Sequence, residues 1–303
     1  MTDPIVDVKD LCRTFGQTEA LQNVTLTVRP GQVYGLVGEN GAGKTTLLKH
    51  LLGLLKPTSG TVQVFGMDPV ANPAQVLSQI GFLSEDRDLP MWMRIDQVLH
   101  YYGGFFASWD SEYAQELLST FDLKAEQRLK ALSRGQLARV GLLVAVAHRP
   151  KLLLLDEPSS GLDPVVRQDI LSAIIRTVAD DGRTVVFSSH LLDEIQRVCD
   201  HVTMIHGGRV LLSGPLDEIL EQHSRMTIRL SKPSKSTPSI PGAIRCEGSG
   251  REWTVLCNGA STEPYRWVEA SGAEILDTGM PSLDEIFVAR IRQAGVPAGE
   301  GQS

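Results

Sequence analysis

Apolar and polar positions alternate through the first 37 residues: Ile5-Val6-Asp7-Val8, then Val24, Leu26 and Val28, then an apolar run over 33–37, with turn residues such as Pro30-Gly31 between them. This period of two predicts three strands of a mixed sheet. From Gly43 the period becomes helical, with Leu47, Leu48, Leu51, Leu52 and Leu55 on one broad face until Gly53 and Pro57 stop it. Short strands are expected over 61–65 and 80–83, and the apolar spacing over 91–147 is mostly helical. Two buried-looking, largely apolar strands, 151–155 and 184–188, flank a helix expected over about 164–179. Strands alternating with helices predict an α/β core on a parallel sheet.

Near residue 224 the pattern changes. Residues 231–242 are rich in Pro and Ser and read as a linker. Two strands follow around the turn Gly248-Ser249-Gly250, with Trp253, Val255 and Cys257 on one face. A helix near 262–271, a strand over 273–277 and a helix over 283–292 complete a small α+β unit, and Ser282 with Glu285 forms an S-x-x-E capping box for the last helix. The expected organisation is therefore a large domain over 4–224, a strand and linker over 225–242, a small α+β domain over 243–292, and a flexible Gly/Pro-rich tail over 293–303. No internal repeat is visible.

Composition narrows the class. With 303 residues, 42% hydrophobic and 21% charged, the chain has the make-up of an ordinary globular protein, which excludes disorder and collagen-like repeats. Its longest apolar stretches fall far short of the ~20 residues that cross a bilayer, so no direct membrane insertion is expected. The first residues are acidic and lack an apolar core, unlike a secretory signal, so the expected location is the cytoplasm. Cys12, Cys199, Cys246 and Cys257 form no C-x-x-C pair and read as buried reduced thiols. A net charge of −7 argues against nucleic acid as a partner.

The chemistry concentrates in two segments. Gly38-Glu39-Asn40-Gly41-Ala42-Gly43-Lys44-Thr45 fits G-x-x-x-x-G-K-[ST] between an expected strand and an expected helix, the context a P-loop needs. Its glycines let successive N–H groups turn towards phosphate oxygens, and the following helix, which begins with Thr45 and Thr46, offers its positive end to the same charge. Lys44 would reach the β- and γ-phosphates and Thr45 would hold Mg²⁺. The second segment, 151–157, is an apolar strand ending in Asp156 and Glu157, the form of a Walker B segment. Asp156 would hold Mg²⁺ and Glu157 would orient or activate water. Adjacent residues on a strand point to opposite faces, which suits separate roles.

Leu132-Ser133-Arg134-Gly135-Gln136 makes a resemblance specific. It is similar to the LSGGQ signature of ATP-binding cassette (ABC) ATPases, with Arg134 in place of one glycine, although Ser133 is equally a good helix N-cap. The order Walker A, signature, Walker B, with Ser133 standing 23 residues before Asp156, fits that family and not other P-loop classes. Around these, Ser160-Gly161-Leu162-Asp163 resembles the D-loop, His190 the switch histidine that contacts the γ-phosphate, and Phe15 the aromatic ring that stacks on adenine. Glu85 stands where most members have the Q-loop glutamine, and is expected to act as a ligand of Mg²⁺. The resemblance covers residues 4–224 and implies an α/β P-loop NTPase fold, with a RecA-like core, an antiparallel β part and a helical subdomain over about 85–147, plus the small C-terminal domain.

What the resemblance implies about function is an ATP-hydrolysing subunit. Lys44, Glu157 and His190 would be catalytic; Phe15, residues 38–46, Ser133, Gly135, Gln136 and Asp163 would contact ATP; and Thr45, Asp156 and Glu85 would hold Mg²⁺. One copy of each motif cannot close a sandwiched site, so a head-to-tail homodimer, or a dimer with a similar subunit, is implied. Among ABC classes, the chain has one cassette, not the two of translation-type factors, and the 88 residues between Lys44 and Ser133 leave no room for the coiled coil of chromosome-associated members. A transporter subunit driving a separate permease from the inner face of the membrane is expected, with a soluble regulatory or translation-associated factor as the alternative. Residues 85–126 carry three basic against nine acidic residues, and residues 92–121 hold eight of the 17 aromatics. An acidic, aromatic surface there complements the basic cytoplasmic loops of permeases. The segments Phe106-Ala107-Ser108-Trp109-Asp110 and Pro281-Ser282-Leu283-Asp284-Glu285-Ile286-Phe287, with the LSRGQ variant, resemble ATPases paired with ABC-2-type permeases, which mostly export.

Overall fold

In a computed structural model, residues 3–86, 88–259 and 262–293 are described. The chain divides into two compact units, Met1–Ser213 and Gly214–Ser303.

The first unit opens with strands β1 (Val6–Phe15) and β2 (Thr18–Val28), followed by β3 (Val33–Val37), helix α1 (Lys44–Leu51) and β4 (Ser59–Val64). A short helix α2 (Pro73–Leu77) leads to β5 (Ile80–Leu83), and then to a helical stretch of α3 (Ile95–Gly103), α4 (Ser111–Thr120) and α5 (Arg134–Val146). The chain returns through β6 (Leu152–Asp156), α6 (Pro164–Asp181), β7 (Thr184–Ser189) and α7 (Leu192–Val198) to the hairpin β8 (His201–His206) and β9 (Arg209–Pro215).

These strands form two sheets, a three-stranded antiparallel layer in the order β2-β1-β4 and a six-stranded sheet in the order β5-β6-β7-β3-β8-β9. The ladders among β5, β6, β7, β3 and β8 are parallel. Only β9 reverses, because the two-residue link Gly207-Gly208, with φ of 53° and 76°, makes a tight hairpin. The alternating residues Tyr34, Leu36, Leu152, Leu154 and Val186 pack in one cluster with the antiparallel layer and α1. Gly35 faces the other way, where a Cβ would lie 2.8 Å from side-chain atoms of Ile195 on α7 and of Cys199 just after it. Both faces are covered, which is why β3, β6 and β7 read as continuous apolar runs instead of alternating ones.

The second unit contains α8 (Leu216–Glu221), β10 (His223–Ser234), β11 (Ala243–Asn258), α9 (Glu263–Ser271), β12 (Glu274–Gly279) and α10 (Leu283–Gln293). Its sheet has the order β11-β10-β12, and Met226, Ile228, Trp253, Val255, Cys257 and Val268 form its core. The expected strand and linker over 225–242 is therefore largely the central strand of this sheet. Pro and Ser dominate the composition only from residue 231, whereas Met226 and Ile228 already alternate into the core. The chain bends sharply within β11 where Gly248 and Gly250 are placed, since a Cβ on Gly248 would lie 2.2 Å from the Glu252 carbonyl oxygen. The capping box of α10 is formed, with Ser282 N donating to Glu285 Oε2 at 2.8 Å and Glu285 N to Ser282 Oγ at 3.2 Å. Gln293 still belongs to α10, and the rest of the expected tail lies outside the described residues.

Among the described residues no helix is long and apolar enough to cross a membrane. The four cysteines are free, but only Cys199 and Cys257 are buried; Cys12 and Cys246 are half-buried.

Two histidines are held inside the first unit. His50 shares a hydrogen bond with the Thr46 carbonyl at 2.8 Å, and His148 bonds the Ile80 carbonyl at 3.0 Å while stacking on Phe106 at 3.8 Å between centroids. Burial lowers both from the ordinary value of 6.5, because the charged imidazolium is poorly solvated there. The unfolded chain consequently binds more protons once the pH falls through 6.5. Urea denaturation should show stability falling between pH 7 and 5, and replacing both histidines by Gln should flatten that limb.

Candidate functional site

The loop after β3 turns back on itself through residues whose backbone no larger side chain suits. A Cβ on Gly38 would lie 2.3 Å from the Ile205 carbonyl oxygen. Gly43 has φ of 112° and a Cβ there would lie 2.8 Å from the Ala20 carbonyl oxygen. Helix α1 then begins with Lys44 and has no acidic residue in its first turn, so its N-terminal dipole is left for an anion. The buried Lys44 Nζ donates to the carbonyls of Gly38 at 2.6 Å and Glu39 at 3.2 Å, so the loop is wrapped around the lysine. Thr45 and Thr46 follow on the first turn, both half-buried.

The second half of the site comes from the ends of β6 and β7. Because β7 lies between β3 and β6, the P-loop and the β6 carboxylates leave the same edge of the sheet one strand apart. Lys44 Nζ lies 3.0 Å from Glu157 Oε1, and both side chains are buried. The other oxygen, Glu157 Oε2, is 2.8 Å from His190 Nδ1 just beyond β7. Glu157 thus joins the lysine of one segment to the histidine of another. The strand alternation expected to separate Asp156 from Glu157 stops at Asp156, because Glu157 adopts a left-handed backbone with φ of 47°. That turn, and not the pleat, sends the two carboxylates apart. Asp156 points to Ser188, whose Oγ donates to Asp156 Oδ1 at 2.7 Å and accepts from Glu157 N at 2.9 Å. Ser188 was not singled out by sequence; its signal is a hydroxyl at the end of an otherwise apolar buried strand.

A P-loop lysine and an acid-free helix start fit a phosphate chain. Oxygen donors on Thr45 and Asp156 fit Mg²⁺, which takes few protein ligands and completes its shell with phosphate and water. No cluster of three or more His, Cys, Asp or Glu able to hold a metal by themselves occurs among the described residues. Glu85 lies two residues past Leu83, which is level with Leu155 of β6, and is exposed. Its Oε1 is 3.5 Å from Ser160 Oγ, just after the β6 carboxylates.

The remaining expected residues are held by local contacts of their own. Phe15, at the end of β1, is exposed, and the Arg13 guanidinium packs on its ring at 4.5 Å. Ser133 caps α5, accepting from Gln136 N at 3.2 Å while Gln136 Oε1 accepts from Ser133 N at 3.0 Å. Gly135 is buried, and a Cβ there would lie 2.8 Å from Val166 of α6, so the glycine serves helix packing and offers a ligand only its backbone. Asp163 Oδ1 accepts from the N–H groups of Val165 and Val166, both at 3.1 Å, capping α6.

In the helical stretch, Trp92 is 73% exposed and Phe105 64% exposed, while Phe106 is stacked on His148 and Phe121 is buried. Asp110 is committed to structure: Oδ1 accepts from Tyr113 N at 2.9 Å and Oδ2 from Arg149 Nε at 3.0 Å. These bonds hold its carboxyl below the usual range. The acidic surface there rests instead on residues such as Glu112 and Glu116, which are exposed.

The sequence model of the family described as ABC transporter matches residues 21–160. The chain is 35% identical over 227 residues to the ABC transporter ATP-binding protein NatA of Bacillus subtilis, covering 72% of this chain and 92% of that protein. It is 32% identical to the bacitracin transport ATP-binding protein BcrA of Bacillus licheniformis, covering 77% of each. The solved dimeric structure of the ABC transporter cassette MJ0796 superposes with a TM-score of 0.63 at 25% identity, over 70% of this chain and 98% of that one.

The two left-handed glycines of the loop should respond differently to a methyl group. Gly41, with φ of 80°, has nothing within 4 Å of a Cβ, so Gly41→Ala should cost only the backbone strain, about 1–2 kcal/mol. Gly43→Ala adds a clash with the Ala20 carbonyl and should cost about 2–4 kcal/mol. Urea unfolding of the two variants measures the difference.

Proposed function

This chain belongs to the ABC transporter family, as an ATP-binding subunit with ATPase activity, and from that premise we propose how its residues bind and hydrolyse ATP. The observation that carries the reading is the buried Glu157 carboxylate held between Lys44 and His190. The triphosphate chain lies along the N–H groups of 38–46, with Lys44 on the β- and γ-phosphates and Phe15 against the base. Thr45 and Asp156 hold Mg²⁺, with Glu85 as a further ligand, and Mg²⁺ supplies charge neutralisation at the phosphates. A γ-phosphate carries more charge than one carboxylate and competes with Glu157 for Lys44. Glu157, still bonded to His190, then orients water for in-line attack.

ABC ATP-binding subunits pair with membrane permeases and dimerise. We assign this chain a head-to-tail dimer, with a second copy or a related subunit, in which Ser133, Gly135 and Gln136 of one protomer and Asp163 near the interface complete the site of the other. The dimeric structure of the MJ0796 cassette supports a dimer. The permease is of ABC-2 type and the direction is export. The transporter names of NatA and BcrA and the motif variants LSRGQ and 281–287 support that assignment. The subunit then sits at the inner face of the membrane through its permease, docked by the surface that carries Trp92, Phe105, Glu112 and Glu116. Neither relative supports a soluble regulatory or translation-associated factor.

Glu157→Gln should keep ATP binding, lower hydrolysis at least about a hundredfold, and accumulate as a dimer; a monomer by light scattering at saturating MgATP would refute the sandwiched site. Glu85→Gln should raise the Mg²⁺ concentration needed for half-maximal activity, and an unchanged requirement removes Glu85 from the metal site. Reversing Glu112 and Glu116 to Lys should abolish co-purification with the permease while leaving the folding of α4 intact, because Asp110 keeps its cap.

A further inference from the structure

Glu194 lies on α7, outside the P-loop, yet its side chain is only 2% exposed and it holds three partners. Its Oε2 accepts from Ser159 Oγ at 2.7 Å and from Ser189 Oγ at 3.0 Å. Its Oε1 lies 3.2 Å from Arg167 Nε, an ion pair outside in-line hydrogen-bond geometry. A buried carboxylate is costly unless it is offset by charge and hydrogen bonds, and these three groups provide both.

Each partner adjoins a residue of the hydrolytic site. Ser159 follows Glu157 by two positions, Ser189 immediately precedes His190, and Arg167 lies one helical turn beyond Asp163 on α6. The β6–β7 ladder ends at the pair Asp156–Ser188, so sheet hydrogen bonds do not reach from Glu157 to His190. Glu157 itself has the left-handed φ of 47°, a backbone that must be held by its surroundings. Ser188 holds it from one side, through Glu157 N at 2.9 Å. Glu194 holds the following turn and the segment before His190, by one carboxylate oxygen shared between two hydroxyls.

We propose that Glu194 is a positioning residue for ATP hydrolysis, which fixes Glu157 against His190 by tying Ser159 to Ser189 and anchoring both to α6 through Arg167. It touches neither nucleotide nor water and acts only through these groups. The inference rests on the reading of Glu157 as the residue that orients water.

The test measures ATP hydrolysis by the full chain in four variants, with nucleotide-binding stoichiometry determined for each so that kcat refers to competent sites. Ser159→Ala and Ser189→Ala should each lower kcat about tenfold with the KM for ATP within twofold of the parent. Glu194→Ala should lower kcat further, and Glu194→Gln, which can still accept from the hydroxyls but not pair with Arg167, should recover part of the loss. Should Glu194→Ala fail to fold, the two serine variants carry the test, since each removes one hydroxyl and no charge. Parental kcat per competent site in both serine variants and in Glu194→Gln overturns the proposal. Glu157→Gln is the control: if it hydrolyses ATP normally, the reading of Glu157 fails; if it is inactive while the other variants are unaffected, only the role of Glu194 fails.

Discussion

The structure of the first unit depends on a buried carboxylate, Glu157, that carries two partners from different parts of the chain. Lys44 reaches it from the loop after β3 and His190 from the end of β7, at 3.0 and 2.8 Å. Neither Lys44 nor Glu157 is tolerable alone in that position, since removing an ion from water costs several kcal/mol before any partner is counted, whereas His190 keeps 40% of its side chain exposed. Together they are mutually compensated, which requires three segments distant in sequence to converge on one edge of the sheet. The parallel sheet does this by placing β7 between β3 and β6, so that all the strand ends concerned open on the same side.

Convergence of strand ends does not set the last few ångströms, because the β6–β7 ladder stops before Glu157 and His190. Hydroxyls take over there. Ser188 binds Asp156 and the backbone of Glu157, and Glu194 joins Ser159 to Ser189. Close approaches also shape the loop after β3, with Gly38 against the Ile205 backbone and Gly43 against that of Ala20, and elsewhere Gly135 of α5 against the Val166 side chain. Glycine is needed at the first and third for close approach and at the second also for its left-handed backbone. Packing against Val166 therefore accounts for the glycine that α5 carries at its first turn and leaves only its backbone for a ligand.

Charge has meaning only locally. The net charge of the chain is −7, yet the loop over 38–44 wraps a lysine and leads into a helix start with no acidic residue, a local arrangement suited to an anion. In the helical stretch, the acidic residues divide into two kinds that composition cannot separate. Asp110 caps α4 and pairs with Arg149, and Asp96 pairs with Arg94 at 3.0 Å, whereas Glu112 and Glu116 stand in solvent. The aromatic residues divide likewise, with Trp92 and Phe105 exposed and Phe106 and Phe121 packed inside.

The order of motifs and the parallel α/β core were legible from sequence, because both rest on local rules: a glycine-rich turn between strand and helix, and apolar runs whose length matches a strand covered on both sides. The N-cap at Ser133 and the capping box at Ser282 were legible for the same reason, since their partners lie three residues away. The central strand β10 was partly hidden, because Pro and Ser beyond residue 230 obscured the alternation of Met226 and Ile228. Only the tertiary structure decided the left-handed turn at Glu157, the insertion of β7 between β3 and β6, and the network around Glu194. Each of these depends on contacts between residues dozens of positions apart, and no period or spacing in one segment records which other segment will lie beside it.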